Sequence, residues 1–175
     1  MRTIRTYPNI FWLTINLFIL TFFGFMILVC LEWLFEFIGF FKHNNEKVGM
    51  FFLLLFVTIF FSYFYYQVSN QFTFAKLDSD GIKIFQLLKL KIKNLSFENI
   101  KGYSNSEVSY GRVPLNYTSK TIIIYLKNNE ERPFELIKLF NFNFKNFTSE
   151  IKKTNIIYLG KEPYQPGIYK RKYKF

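Results

Sequence analysis

Basic side chains occur in two patterns that could bind an anion. The segment at residues 88–93 reads LKLKIK, and in a β-strand this alternation would turn the lysines to one face and the apolar residues to the core. The segment at residues 169–175 mixes basic with aromatic residues. The basic residues concerned are Lys89, Lys91 and Lys93 in the first pattern and Lys170, Arg171, Lys172 and Lys174 in the second.

Both patterns are typical of surfaces that approach an anionic membrane leaflet, where each basic residue contributes about 1 kcal/mol. We therefore expect them to contact anionic lipid at a membrane surface. The alternative is that the lysines solubilise the wet face of a strand and that the C-terminal segment is simply solvated.

Groups that could perform catalysis or bind a metal are sparse. His43 is the only histidine, and it has no Cys, Asp or Glu at metal-ligand spacing. The sequence contains neither a glycine-rich phosphate loop nor a nucleophile elbow. Acidic pairs lie at residues 78–80 and 130–131, in segments typical of turns. We therefore expect no enzyme activity, no cofactor and no metal.

Two uncharged apolar runs, residues 10–31 and 48–66, occur in the N-terminal part of the chain. At the helical rise they would extend about 33 Å and about 28 Å, against a hydrocarbon core of about 30 Å. The runs predict a transmembrane hairpin over residues 1–70, with spans at about 10–34 and 48–69. The first run lacks the pattern of a cleaved signal peptide, so we expect it to remain attached as an anchor.

The distribution of charge predicts the orientation of this hairpin. The net charge is +11, and residues 71–175 contribute 19 Lys and Arg against 9 Asp and Glu. Arg2 and Arg5 precede the first run, and Lys76 and Lys83 follow the second. By the positive-inside rule both termini should be cytoplasmic, in a multi-pass protein of the cell inner membrane. The single cysteine, Cys30, excludes an intramolecular disulfide and agrees with that compartment.

Polar residues within the spans have structural and functional interpretations. Asn16 and Ser62 should lie at similar depth and form an interhelical hydrogen bond, with Gly24 allowing close approach. The alternative for Asn16 is a polar pathway through the bilayer. Glu32 and Glu36 share one helix face, where we expect solvation in the outer headgroup layer; the alternative is a cation or proton site.

Residues 71–158 are predicted to form a mainly β domain. The DSDG sequence at residues 78–81 is a hairpin signal, and residues 121–127 have the composition of a central strand. Residues 104–120 are predicted to form a polar loop or an irregular hairpin.

The hydrophobic period then changes from that of a strand to that of a helix. Phe140, Phe144, Phe147 and Ile151 recur at helical spacing and predict one amphipathic helix packed on the sheet. Residues 159–175, which contain prolines and glycines, are predicted to form an irregular basic and aromatic tail.

This order of elements resembles the bacterial PH-like domain membrane proteins, in which a pleckstrin-homology-type domain directly follows the spans. The resemblance lies in residues 74–82 (FAKLDSDGI), residues 95–100 (LSFENI) and the terminal helix, and it covers roughly residues 72–153. It implies a strongly bent antiparallel sheet or barrel capped by the C-terminal helix. Its motifs specify strands and turns, so no lipid-binding residue is carried over from the family.

We expect a non-catalytic membrane protein whose cytoplasmic domain is an interaction or scaffolding module at the inner leaflet. The alternative is an accessory subunit or immunity-type protein that binds another membrane protein through its spans. The expected partners are the lipid bilayer, anionic phospholipid, another membrane protein or a second copy of the chain. Tethering to a membrane disfavours nucleic acid, although basic patches also occur in proteins that bind it.

Overall fold

The computed structural model describes residues 3–35, 47–110, 117–128, 131–163, 165–166 and 171–175. The chain forms two compact units. One comprises Thr14–Val68, and the other comprises Met1–Leu13 together with Ser69–Phe175. The second unit therefore contains the residues on both sides of the hairpin.

Helices α1 (Ile10–Phe35) and α2 (Lys47–Gln71) confirm the two predicted apolar helices. Their lengths of 26 and 25 residues correspond to about 39 Å and about 37 Å at the helical rise. Both are long and apolar enough to span a membrane. The helices contact each other through aromatic side chains, with 5.0 Å between the ring centroids of Phe23 and Phe60.

The residues singled out within the hairpin have different outcomes. Ser62 is exposed on α2, and the hydrogen bond between Ser62 and Asn16 stays a prediction. A Cβ atom added to Gly24 would have no neighbour within 4 Å, so this glycine is not a point of close approach. Glu32 is buried rather than solvated, at 8% exposure, and Glu36 lies outside the described residues.

The second unit is built mainly from strands. The strands are β1 (Ile4–Arg5), β2 (Tyr7–Pro8), β3 (Thr73–Leu77), β4 (Gly81–Gln86), β5 (Lys91–Ser96), β6 (Ile100–Tyr110), β7 (Tyr117–Leu126), β8 (Phe134–Ile137), β9 (Asn141–Phe142), β10 (Tyr158–Lys161) and β11 (Gln165–Pro166). A four-stranded sheet has the order β1-β3-β4-β5, and a second sheet has the order β10-β6-β7-β8, with β11 also paired to β6. Strands β2 and β9 pair with each other.

One hydrophobic core joins the two larger sheets to helix α3 (Phe144–Ile151). Ile84 of β4, Ile124 of β7 and Phe147 of α3 are fully buried in it. The predicted amphipathic helix is therefore confirmed over Phe144–Ile151, whereas Phe140 lies before it in a 3₁₀ turn. Among the described strands no sheet closes on itself, so the observed fold is a mainly β unit with open sheets.

Strand pairing includes segments that were predicted to be a loop or an irregular tail. Residues 104–110 and 117–120, predicted as a loop or an irregular hairpin, belong to the long antiparallel pair β6–β7. Strands β10 and β11 follow α3 and pair with β6 in parallel. Part of the predicted irregular tail thus belongs to the sheet, because β6 offers it a free edge.

The alternating LKLKIK segment is not one continuous strand. Residues 87–89 form a 3₁₀ turn, and Leu90 adopts the left-handed conformation with φ of 50°. This conformation costs a residue other than glycine about 1–2 kcal/mol. Leu90 is 90% exposed and Ile92 is 65% exposed, so the prediction that both point into the core was wrong.

The short segment before α1 packs into the second unit as an additional strand. β1 pairs with β3, and the Thr6 N–H donates to the Ala75 carbonyl at 2.9 Å. The Ala75 N–H donates in turn to Thr6 Oγ1, also at 2.9 Å. Both residues are buried, so these bonds join the two ends of the hairpin in a dry environment.

Replacing Thr6 with Val should destabilise this unit by about 1–3 kcal/mol, because the buried Ala75 N–H loses its acceptor. Thr148→Val is the matched control, since the Thr148 hydroxyl only donates to a carbonyl of its own helix. We expect the control to leave stability almost unchanged. The check is denaturant unfolding of the full chain in mild detergent, and equal effects would contradict the role of Thr6.

Candidate functional site

A basic cleft of about 290 Å³ lies on the second unit. The turn at residues 87–89, strand β5 and the residues leading into β8 form its walls. Its lining residues are Asn70, Thr73, Gln86, Lys89, Lys91, Lys93, Glu131, Arg132, Pro133, Phe134, Glu135 and Tyr173. We call this feature the basic cleft.

The structure brings the three lysines predicted from the sequence together in the basic cleft. Lys91 and Lys93 are two residues apart on β5, and Lys89 reaches the cleft from the 3₁₀ turn. Lys89 Nζ donates to Asn70 Oδ1 at 2.6 Å, and Lys93 forms an exposed ion pair with Glu131. Lys91 is exposed at the cleft surface.

Lys89 lies close to two other cationic side chains. Burial lowers the pKa of its ammonium group, and the neighbouring cations Arg132 and Lys91 lower it further. The partner of Lys89 in the hydrogen bond is a neutral amide. An anion bound among these three residues would reduce their mutual repulsion and receive hydrogen bonds strengthened by charge.

A chain of polar contacts connects the cleft to the C-terminal segment. Arg132 Nε and Nη2 donate to the Tyr173 hydroxyl at 3.1 and 3.0 Å. Tyr173 donates to one oxygen of Glu135, and Arg171 pairs with the other. Glu135 and Arg171 are 6% and 7% exposed, so this is a buried ion pair.

A second buried carboxylate also contacts the C-terminal segment. Glu162 is 3% exposed and accepts hydrogen bonds from Ser104 and, at 2.5 Å, from the Tyr125 hydroxyl. Its other oxygen accepts the Lys174 N–H at 3.3 Å. Burial raises the pKa of Tyr125, and the bond to Glu162 raises it further because a tyrosinate could not donate.

These contacts change the interpretation of the basic tail. We expected Arg171 to face lipid, but it lies in the protein interior because Glu135 offers it a buried partner. The ring of Phe175 packs edge-on against Tyr125, with 6.0 Å between centroids. Lys172 and Lys174 are exposed, and Lys170 lies outside the described residues.

Sequence reasoning missed Arg132, Glu135 and Glu162. Glu135 does carry a signal, because it stands alone in the apolar sequence FELI, and an acid buried in a strand needs a cationic partner. Within the described ranges no three His, Cys, Asp or Glu side chains are grouped so that they could hold a metal. The chemistry that the basic cleft offers is anion binding by side-chain cations.

Glu135→Gln should destabilise the chain by about 3–5 kcal/mol, because Arg171 would remain buried without its ion pair. The last residues should also detach, which trypsin would report as faster cleavage after Lys172. The measurements are denaturant unfolding in mild detergent and mass spectrometry of the tryptic products.

Glu131→Gln is the matched control, because it removes an ion pair of the same cleft whose two side chains are 41% and 42% exposed. Its expected cost is below about 1 kcal/mol. Similar costs for the two variants, or unchanged cleavage in Glu135→Gln, would contradict the role of Glu135 in holding the C-terminal segment.

Comparison with known proteins finds no match: no family model, no curated protein and no solved structure aligns with this chain.

Proposed function

We propose that this protein is a non-catalytic, multi-pass protein of a bacterial inner membrane. Its second, mainly β unit (the β unit) is, in this proposal, a PH-like interaction module at the inner leaflet. In this proposal the basic cleft binds the phosphate group of an anionic phospholipid. The observation that carries the proposal is the grouping of Lys89, Lys91 and Arg132 in one cleft.

The balance of charge in the cleft supports an anionic ligand. Of its two lining carboxylates, Glu131 pairs with Lys93 and Glu135 pairs with Arg171. Against these two carboxylates, the lining has four cationic side chains: Lys89, Lys91, Lys93 and Arg132. The cleft therefore has an excess of positive charge that a phosphate monoanion or dianion would complement.

The position of the cleft along the chain supports lipid as the source of that phosphate. Asn70 lines the cleft and lies in the last turn of α2, four residues after Tyr66, where the apolar run ends. Four residues of helix correspond to about 6 Å. If α2 spans the bilayer, the cleft begins about one helical turn beyond the apolar run.

The pairing of the N-terminal segment supports the proposed topology. Strand β1 precedes α1 and pairs with β3, which follows α2. Two spans return the chain to the side from which it started, so this pairing is compatible with crossing the membrane twice. The basic residues that flank the runs favour the cytoplasm for that side.

Replacing Lys89, Lys91 and Arg132 together with Gln should weaken binding of dihexanoyl phosphatidylglycerol at least tenfold. The reason is that each basic residue near an anionic lipid contributes about 1 kcal/mol, and 1.4 kcal/mol is a tenfold change in affinity. The measurement is calorimetric titration of the full chain in neutral detergent. Binding should also weaken with added salt.

Lys101, Lys127 and Lys145 provide the matched control, because they are exposed and do not line the basic cleft. Their combined replacement with Gln changes the net charge equally and should leave the affinity within about twofold. Titration with glycerol phosphate distinguishes a free phosphate from a lipid headgroup. Equal losses in the two triple variants, or no saturable binding by the parent chain, would contradict the proposal.

Reporter domains fused to the N-terminus and to the C-terminus should both be cytoplasmic. The physical reason is that β1 must reach β3 within one folded unit. Protease accessibility in spheroplasts measures the side directly. Protection of one fusion with digestion of the other would contradict the double crossing, and digestion of both would contradict the inner-leaflet assignment.

A further inference from the structure

The turn beside the basic cleft exposes a cluster of aliphatic side chains. Leu87 is 37% exposed, Ile92 is 65% exposed and Leu90 is 90% exposed. By contrast, Ile84 on β4 and Leu95 on β5, the strands on either side of this turn, are 0% and 4% exposed. The cluster is therefore a local departure from the usual pattern of burial, and we call it the apolar tip.

The fold itself gives no reason for a leucine at position 90. Its left-handed backbone is a conformation that glycine and asparagine adopt more readily. Its side chain gains almost nothing from packing, since nine-tenths of it is exposed. A residue that is unfavourable for the turn and unburied in the fold points to an external apolar partner.

Hydrogen bonds place the apolar tip near the end of α2. The Leu87 N–H donates to the Phe72 carbonyl at 3.1 Å, and Lys89 Nζ donates to Asn70 Oδ1 at 2.6 Å. Asn70 belongs to the last turn of α2, and Phe72 is the residue between α2 and β3. The tip is thus anchored to the residues with which the chain leaves its second apolar helix.

Lysines are interleaved with the exposed aliphatic residues. Lys89 and Lys91 flank Leu90 on either side. In a protein–protein interface, charged residues are depleted from the buried core, and lysine in particular. At a bilayer surface the same mixture is favourable, because aliphatic groups enter the acyl boundary while lysine side chains extend to the phosphates.

We propose that the apolar tip inserts into the interfacial region of the lipid bilayer, with Leu90 deepest and Lys89 and Lys91 at the level of the headgroups. The inference rests on the membrane location in the proposed function, but not on selective binding of an anionic lipid. The tip and α2 together would attach the β unit to the bilayer at two adjacent points.

Spin labels attached to single cysteines test the depth of the tip. In a Cys30→Ala background, Leu90→Cys and Ile92→Cys are labelled in the full chain and reconstituted into phosphatidylcholine nanodiscs. Ile157→Cys is the matched control, because Ile157 is the same residue type as Ile92 and equally exposed, at 65%. Relaxation by oxygen and by a water-soluble nickel complex then reports the depth of each label.

The labels at positions 90 and 92 should be relaxed more by oxygen than by the nickel complex, and the label at 157 should show the reverse order. Equal accessibility of the three labels to the nickel complex would overturn the proposal. So would labels that are shielded from both reagents and broaden each other's spectra, since that result assigns the tip to a contact between two copies of the chain.

Two further results separate this proposal from the proposed function. Insertion in neutral phosphatidylcholine, together with failure of the phosphatidylglycerol titration, would leave insertion standing and overturn headgroup binding. A label at position 90 that is fully exposed to water, together with intact phosphatidylglycerol binding, would overturn insertion alone.

Leu90→Asn is a variant that should fold normally, because asparagine adopts the left-handed conformation of this turn readily. It should keep the unfolding midpoint of the parent chain. A spin label at position 92 should nevertheless become more accessible to the nickel complex in this variant.

Discussion

The hydrogen bonds between Thr6 and Ala75 are the constraint on which the arrangement of this chain depends. They join residues 69 positions apart, and the whole of the helical hairpin lies between them. The β unit is therefore not an appendage that follows two helices. It is completed by residues from before the first helix. One of them is Arg5, whose carbonyl accepts a hydrogen bond at 2.9 Å from Nδ2 of Asn143, the residue that precedes α3. Deleting the N-terminal segment would remove an edge strand as well as a tether.

The two carboxylates that line the basic cleft pair with different cations. Glu135 is buried and pairs with Arg171, whereas Glu131 is half-exposed and pairs with Lys93. A surface pair of the second kind contributes little to stability, so Lys93 can exchange its partner at small cost. Breaking the buried pair would destabilise the fold far more, because it would leave a buried charge without its partner. The same cleft thus combines a fixed attachment for the C-terminal segment with cations that a phosphate could engage.

Local features of this chain could be predicted from its sequence, whereas features that depend on distant residues could not. The two apolar helices follow from the length of the runs, and α3 follows from the spacing of Phe144, Phe147 and Ile151. The burial of Arg171 depends on Glu135, 36 positions earlier in the chain, and no periodicity reports such a pairing. The three lysines line one cleft, but not as one face of a continuous strand, because Leu90 interrupts the strand that the alternation predicted.

The interruption at Leu90 helps to explain why lysines occur on β5. β5 is an edge strand of its sheet, and lysines on an edge commonly prevent pairing with another chain. This explanation accounts for Lys91 and Lys93 but not for Leu90 and Ile92, whose exposed aliphatic groups would make an edge more prone to association. In water, the lysines would oppose association with another chain while the exposed leucine and isoleucine would promote it. They are compatible at a bilayer surface, where the aliphatic groups are covered by lipid and the lysines repel a second edge while attracting phosphates.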